Sequence, residues 1–280
     1  MRRRTYDAAK AERVRGSDQR YSVTLKTIPR RSRVASLANE DEGIDNAATH
    51  VNDRKGSRLS TTALLQSSWA RDLSDELRRR VLVESSIRTI DAGGSVCRKG
   101  EPPEHWIGVL SGLVKVVAVS AQGRSISFMG VPPGGWFGEG TLLKREPRRF
   151  DAIALRDSTV AYVPFNTFML MLESSVSFNH FLLAQINERL GQFVGMVEHN
   201  RLLGPDARLA KELADLFNPV LYPGNGSSLP ISQEELANLV GLSRQRVNRA
   251  LRRLERVGLV RAGYRSLTIL DLEGLRRFEE

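Results

Sequence analysis

The segment "PISQEELANLVGLSRQRVNRALRRLERVGLV", residues 230–260, constrains the fold of this chain most. Ser232 followed three residues later by Glu235 has the spacing of a capping box and starts a helix. Leu236, Ala237, Leu239 and Val240 give that helix one apolar face, and Gly241 stands where the chain must turn sharply. Ser243 can cap a second helix, on which Val247, Ala250, Leu251 and Leu254 recur at i, i+3, i+4 and i+7. Those four need a core. Arg244, Gln245, Asn248, Arg249 and Arg252 therefore face away from it. Arginine can bond guanine bidentately, and Asn or Gln can do the same for adenine, so this face suits base edges in a major groove. Arg253, Arg256, Arg261 and Arg265 suit phosphates. Between residues 244 and 265 there are eight Arg and one acidic residue, Glu255. An exposed helix held by ion pairs would carry more carboxylates, so the partner is expected to be external and anionic. After Gly258, "LVRAGYRSLTILD" reads as a two-strand wing with Gly263 near its turn, which predicts a winged helix-turn-helix.

The rest of the chain changes texture three times. Residues 1–60 are poor in patterned apolar residues and rich in Arg, Ser, Asp, Asn and Gly, and are expected to be a disordered basic extension. Order is expected from about residue 61, with Ser74 capping a helix through Leu77 and Leu82. From about Ile87 to Pro164, short Val- and Ile-rich runs alternate with glycine turns. Gly100, Gly112, Gly123 and Gly134 fall eleven or twelve residues apart, the spacing of a compact antiparallel β-roll, with Gly112 in a hairpin. This predicts a roll domain over 61–173. Ser174 or Ser175 can cap a long helix over 174–204, on which Leu183, Ile186, Leu190, Phe193 and Val197 resemble a heptad seam. A homodimer through that helix is expected. "GPD" at residues 204–206 breaks the helix and is a hinge candidate, and 205–280 forms the DNA-binding domain. The fold class is α+β.

Composition closes off several alternatives. The net charge is +10, which favours polyanionic partners. Cys97 is the single cysteine, and with four histidines in the chain no metal, haem or iron–sulfur site is expected; a lone thiol is read as a small buried hydrophobe. No run of about 18 apolar residues predicts a membrane span, and the N-terminus lacks the apolar core of a signal peptide, so a cytoplasmic location is expected. No paired catalytic carboxylates, nucleophile–base set or phosphate loop supports an enzyme.

The order of parts, and two motifs, resemble the Crp/Fnr family of bacterial transcription regulators. "SRQRVNR", starting at Ser243, is similar to the family's recognition pattern, in which two arginines read guanines; these fall on Arg244 and Arg249. The glutamate that reads cytosine in the pattern is Gln245 here, which shifts the expected preference at one position towards adenine. "GGWFGEGTLLKREPRRF" is similar to the family's phosphate-binding cassette. The resemblance implies that Gly138 admits the ligand, that Glu139 accepts from a ribose hydroxyl, and that Arg149, ten residues after Glu139, faces a phosphate. Phe150 and Asp151 then depart from the pattern. So do Phe193 and Val194, at the positions of the Thr-Ser pair that contacts adenine. Glu139 and Arg149 either hold a ligand or pair with each other. The implied partners are double-stranded DNA and a second copy of the chain, with RNA polymerase a further candidate. The effector is left open between a ligand other than cyclic AMP, none at all in a constitutive factor, and cyclic AMP itself.

Overall fold

The structure, a computed structural model, describes residues 62–119, 125–223 and 225–279. The basic extension predicted over 1–60 lies outside them. Helix α1 (Asp75–Glu84) starts as the sequence predicts: the Ser74 hydroxyl accepts from the Leu77 amide at 3.3 Å, and Asp75 and Glu76 sit in the first turn, where the helix dipole favours negative charge.

The roll follows. Its strands are β1 (Ser86–Ile90), β2 (Ser95–Cys97), β3 (His105–Ser111), β4 (Val114–Val119), β5 (Ser125–Val131), β6 (Trp136–Phe137), β7 (Asp151–Ala154) and β8 (Ser158–Pro164), with a short helix α2 (Glu139–Lys144) between β6 and β7. They form two antiparallel sheets of order β1-β8-β3-β6 and β2-β7-β4-β5. Ile107, Val109 and Val160 of one sheet meet Val114, Val116 and Ala152 of the other in one buried core. Gly112 turns the β3–β4 hairpin at φ +93°; a Cβ there would stand 2.2 Å from the Ser158 hydroxyl and 2.6 Å from the Asp157 carbonyl, so only glycine fits. On the outer side of the first sheet Trp69, Trp106 and Trp136 cluster with ring centroids 4.3–5.2 Å apart, and Phe168 and Phe178 close over them.

Two helices leave the roll. α3 (Phe165–Ser174) is followed at once by the 27-residue α4 (Val176–Leu202), capped by Ser175, whose hydroxyl accepts from the Phe178 amide. α4 buries Phe178, Leu182 and Arg189 against the roll, and Gln185, which donates to the Val220 carbonyl at 2.6 Å. The chain breaks at Leu203 and Gly204 and restarts at Pro205, in the first turn of α5 (Pro205–Leu216), where a missing amide hydrogen costs nothing. Then come β9 (Ser228–Leu229), α6 (Gln233–Val240), α7 (Arg244–Arg256), β10 (Val260–Gly263), β11 (Ser266–Ile269) and α8 (Leu272–Arg277).

The C-terminal unit has a core in which Leu209 and Leu213 of α5 meet Leu236 and Leu239 of α6 and Val247, Leu251 and Leu254 of α7, and which Leu113 of the roll joins. The capping box at Ser232 is complete: its hydroxyl accepts from the Glu235 amide at 3.1 Å, and Glu235 accepts from the Ser232 amide at 2.6 Å. Ser232→Ala is expected to lower stability by about 1 kcal/mol in a denaturant titration, with α7 unaffected. The wing differs from the sequence reading, because β9 adds to β10 and β11 as a third strand, pairing Leu229 with Leu267. Two residues are too short a run to show an alternation.

This unit is docked on the roll. Tyr222 is fully enclosed and donates to the Gly130 carbonyl at 2.9 Å, Ser127 donates to the Asn238 carbonyl at 2.9 Å, and Arg156 pairs with Glu235 at 3.2 Å.

Candidate nucleic-acid interface and effector cassette

α7 exists because Ser243 caps it, accepting from the Arg246 amide at 3.3 Å, and because its apolar stripe fits the core. Val247, Ala250, Leu251 and Leu254 are buried. Arg244, Gln245, Arg249 and Arg252 are exposed on the opposite face with Arg246, and Asn248 is half-buried between them. Among the described residues no carboxylate pairs with Arg244, Arg246, Arg249 or Arg252. The nearby Glu255 is already engaged, accepting from the Ala262 amide at 3.1 Å. Tyr264 projects from the wing tip at 95% exposure, next to Arg265.

Arg253 is a correction. Its guanidinium lies 3.1 Å from the Asp206 carboxylate and over the Phe278 ring at 5.6 Å. It points to the start of α5 rather than out with Arg249 and Arg252, because one step along a helix rotates a side chain by about 100°. Arg252, Arg256, Arg261 and Arg265 are exposed.

The cassette needs three corrections. Arg149 does not face the site: its side chain is 71% exposed and bonds Glu146 at 2.6 Å. Arg148 is the inward arginine, 4% exposed, donating from Nη2 to the His105 carbonyl at 2.6 Å. The two side chains point to opposite sides where the chain bends just before β7, so a count one residue long selects the wrong arginine. Gly138, at φ +92°, leaves room for it; a Cβ there would lie 2.7 Å from Arg148 Nη1. Glu139 and Arg149 do not pair either. Glu139 is buried and its ionic partner is Arg189 of α4, at 3.8 Å. The Asp151 carboxylate accepts from the Lys99 amide at 3.0 Å. Phe150 packs near Phe137, ring centroids 6.2 Å apart.

Phe193 is the last correction. It turns inward to Phe128, ring centroids 6.4 Å apart, and leaves the seam. The exposed apolar line on α4 is Leu183, Ile186, Leu190, Val194 and Val197.

Arg189 was not anticipated. It is buried, donating from Nη2 to the Trp136 carbonyl at 2.8 Å and from Nη1 to the Met129 sulfur at 2.7 Å. The signal was present in the sequence as a cation in register with Phe178, Leu182 and Gln185 on the inward face. Cys97 is 5% exposed, and burial pushes its thiol up to about 11, the behaviour of an inert core residue.

A two-sheet β-roll, a long helix with an exposed apolar line and a winged helix-turn-helix with an arginine face together define a DNA-binding transcription regulator. Residues 207–278 match the Crp-like helix-turn-helix domain and residues 87–175 the cyclic nucleotide-binding domain. The transcriptional regulator SdrP of Thermus thermophilus is 31% identical over 181 residues, 64% of this chain and 86% of that protein. The CRP-like cAMP-activated global transcriptional regulator of Mycobacterium tuberculosis is 26% identical over 188 residues, 66% of this chain and 84% of that protein. The solved structure of FixK2 from Bradyrhizobium japonicum shares the fold, with a TM-score of 0.57 at 20% identity over 70% of this chain and 98% of that one. The chain belongs to the Crp/Fnr family of transcription regulators. Like its relatives it is a regulator and not an enzyme. Among the described residues no helix is long and apolar enough to cross a membrane, and no three metal-ligating side chains converge.

The match to the cyclic nucleotide-binding domain raises that class of ligand, and the two ends of the cassette answer it differently. At the phosphoribose end, Arg148 Nη1 and Glu139 Oε2 are buried without hydrogen-bond partners. One is a cationic donor and the other an anionic acceptor, which an oxyanion and a hydroxyl would satisfy. At the base end, Phe193 and Val194 offer no hydrogen-bonding group.

Proposed function

We propose that this chain is a cytoplasmic, sequence-specific transcription regulator that binds a near-palindromic DNA site as a homodimer. In this reading residues 205–280 bind DNA, 174–204 dimerise the chain and 61–173 sense an effector. The observation that carries it is the arginine face of α7, exposed on a capped, well-seated helix, whose Arg244, Arg246, Arg249 and Arg252 form no ion pair among the described residues. Arg244, Gln245, Asn248 and Arg249 are the base-reading set, with Ser243 fixing the helix start and Arg252 on the phosphates. Leu183 and Leu190, 65% and 60% exposed on the line completed by Ile186, Val194 and Val197, support a second copy packed along α4. The half-buried Phe193 contributes only at the edge of that line.

The effector held by Arg148 and Glu139 would be anionic and hydroxylated, and its base would not be read by the family's usual hydroxyl contacts. Arg189 supports the second reading, a constitutive factor: its guanidinium already ties the cassette, at Glu139 and Trp136, to α4 and β5.

The test is selection of the full-length protein on a randomised duplex library at fixed salt. It is run without additive, then with cyclic AMP, cyclic GMP and cyclic di-GMP. Enrichment of a palindrome is expected. Enrichment without additive favours the constitutive reading, and enrichment with one nucleotide alone assigns the effector. No enriched sequence in any arm refutes both the constitutive reading and dependence on any of the three nucleotides. Leu190→Glu, which places a charge in the seam, is expected to shift the protein from dimer to monomer by analytical ultracentrifugation and to remove the preference for palindromes over half-sites.

A further inference from the structure

Asn248 lies four residues after Arg244 and three after Gln245, so the three side chains share one patch of α7, continued by Arg249. Of these only Asn248 is already bonded within the protein. Its Nδ2 donates at 2.8 Å to Oε1 of Gln233, the first residue of α6, on the far side of the helix turn. Both residues are half-buried, so the bond is shielded from water on one side.

A primary amide has two N–H groups and one carbonyl oxygen. With one N–H held by Gln233, Asn248 keeps one N–H and its Oδ1. These are the donor and acceptor that adenine takes bidentately, at N7 and N6. A free asparagine must be ordered on binding and can present its two ends either way round. An asparagine tethered by Gln233 is ordered beforehand and in one orientation. We propose that Gln233, which is outside the recognition helix, is a positioning residue for base readout: it fixes the Asn248 amide so that this side chain selects adenine at one position of each half-site. This rests on α7 being the recognition helix.

The experiment uses the full-length protein and duplexes carrying the selected site, varied at single base pairs. Only ratios between duplexes are read, so a uniform effect of charge cancels. Thermal unfolding of each variant checks that the unit is intact. Asn248→Ala is expected to lower adenine preference at one base pair per half-site by about tenfold. Gln233→Ala is expected to lose most of that ratio. Gln233→Glu, which can only accept, keeps it. Gln233→Lys, which can only donate and must capture Oδ1 instead, erases it. In the Asn248→Ala background the Gln233 substitutions are expected to change no ratio. An unchanged profile for Asn248→Ala overturns the inference. So does Gln233→Ala or Gln233→Lys weakening all duplexes equally with the profile intact, since Gln233 would then be touching phosphate. A wild-type profile flat at every position would overturn the recognition-helix reading, and this inference with it.

Discussion

With Arg244 and Arg249 both replaced by alanine, the protein is expected to keep its fold and lose its site. Both side chains are exposed, and the residues that seat α7, Val247, Ala250, Leu251 and Leu254, lie on the opposite face and stay in place. Alanine is also the best helix former, so α7 itself is not weakened. Each lost bidentate guanine contact costs about 1–3 kcal/mol. Two contacts per half-site that add would lower specific affinity by roughly 30- to 10⁴-fold for each half-site, and by more for a dimer on a full site, with little change for a scrambled duplex beyond the loss of two charges per protomer. Titration of labelled specific and scrambled duplexes at fixed salt separates the two. Survival of the sequence preference would mean that bases are read elsewhere. Arg256→Ala is expected to behave differently, weakening all sequences alike and flattening the dependence on salt. Arg253→Ala should do neither, because its guanidinium is engaged by Asp206 and Phe278; its effect belongs to the junction of α7 with α5.

The parts of this molecule that the sequence reveals are those governed by local rules. The helix pair of the winged unit follows from a capping box, a glycine at αL and a period of 3.6, all within twenty-five residues. The roll follows from glycine spacing, and Gly112 sits in its hairpin because backbone and hydroxyl crowd the missing Cβ. What sequence reasoning misplaced depends on phase or on distant partners. Arg148 and Arg149 are neighbours of identical chemistry, and only the direction of the chain entering β7 decides which one is enclosed. Phe193 and Val194 differ in the same way: a 3.5-residue seam selects one and the observed packing against Phe128 selects the other. Arg253 looks like its neighbours until Asp206, 47 positions earlier, is brought beside it. The docking of Tyr222 into the roll, and the tie of Gln233 to Asn248, leave no periodic trace at all.

Between pH 5 and pH 8 the contact between α5 and α4 is expected to lose stability, and Glu212→Gln is expected to remove much of that loss. Glu212 and Asp215 stand one turn apart on α5, in a nearly filled cavity bounded by Phe128, Met129, Arg189 and Phe193. Burial pushes the Glu212 carboxyl up to about 7, Asp215 adds to the rise, and Arg208 opposes it. Burial likewise pushes Asp215 up to about 6; Arg276 and Gln192 draw it down and Glu188 pushes it up. Both folded values exceed the unfolded ones, 4.5 and 3.8, so across this interval the folded protein binds more protons than the unfolded chain. Stability from these groups is therefore complete at acid pH and falls as pH rises through about 4 to 7, by an amount on the order of 3 kcal/mol for Glu212. The two carboxyls titrate as a pair, so removing one also eases the other. His105 and His199 act with the opposite sign. Burial holds both below their usual value, so they favour the folded state as pH rises. The diagnostic is therefore the difference between wild type and Glu212→Gln in denaturant titrations at pH 5, 6, 7 and 8. The variant should match the wild type near pH 5 and exceed it at pH 8. A constant difference across the range would mean that Glu212 is ionised throughout, with its charge balanced by Arg208, and that α5 packs on α4 without a titrating carboxyl between them.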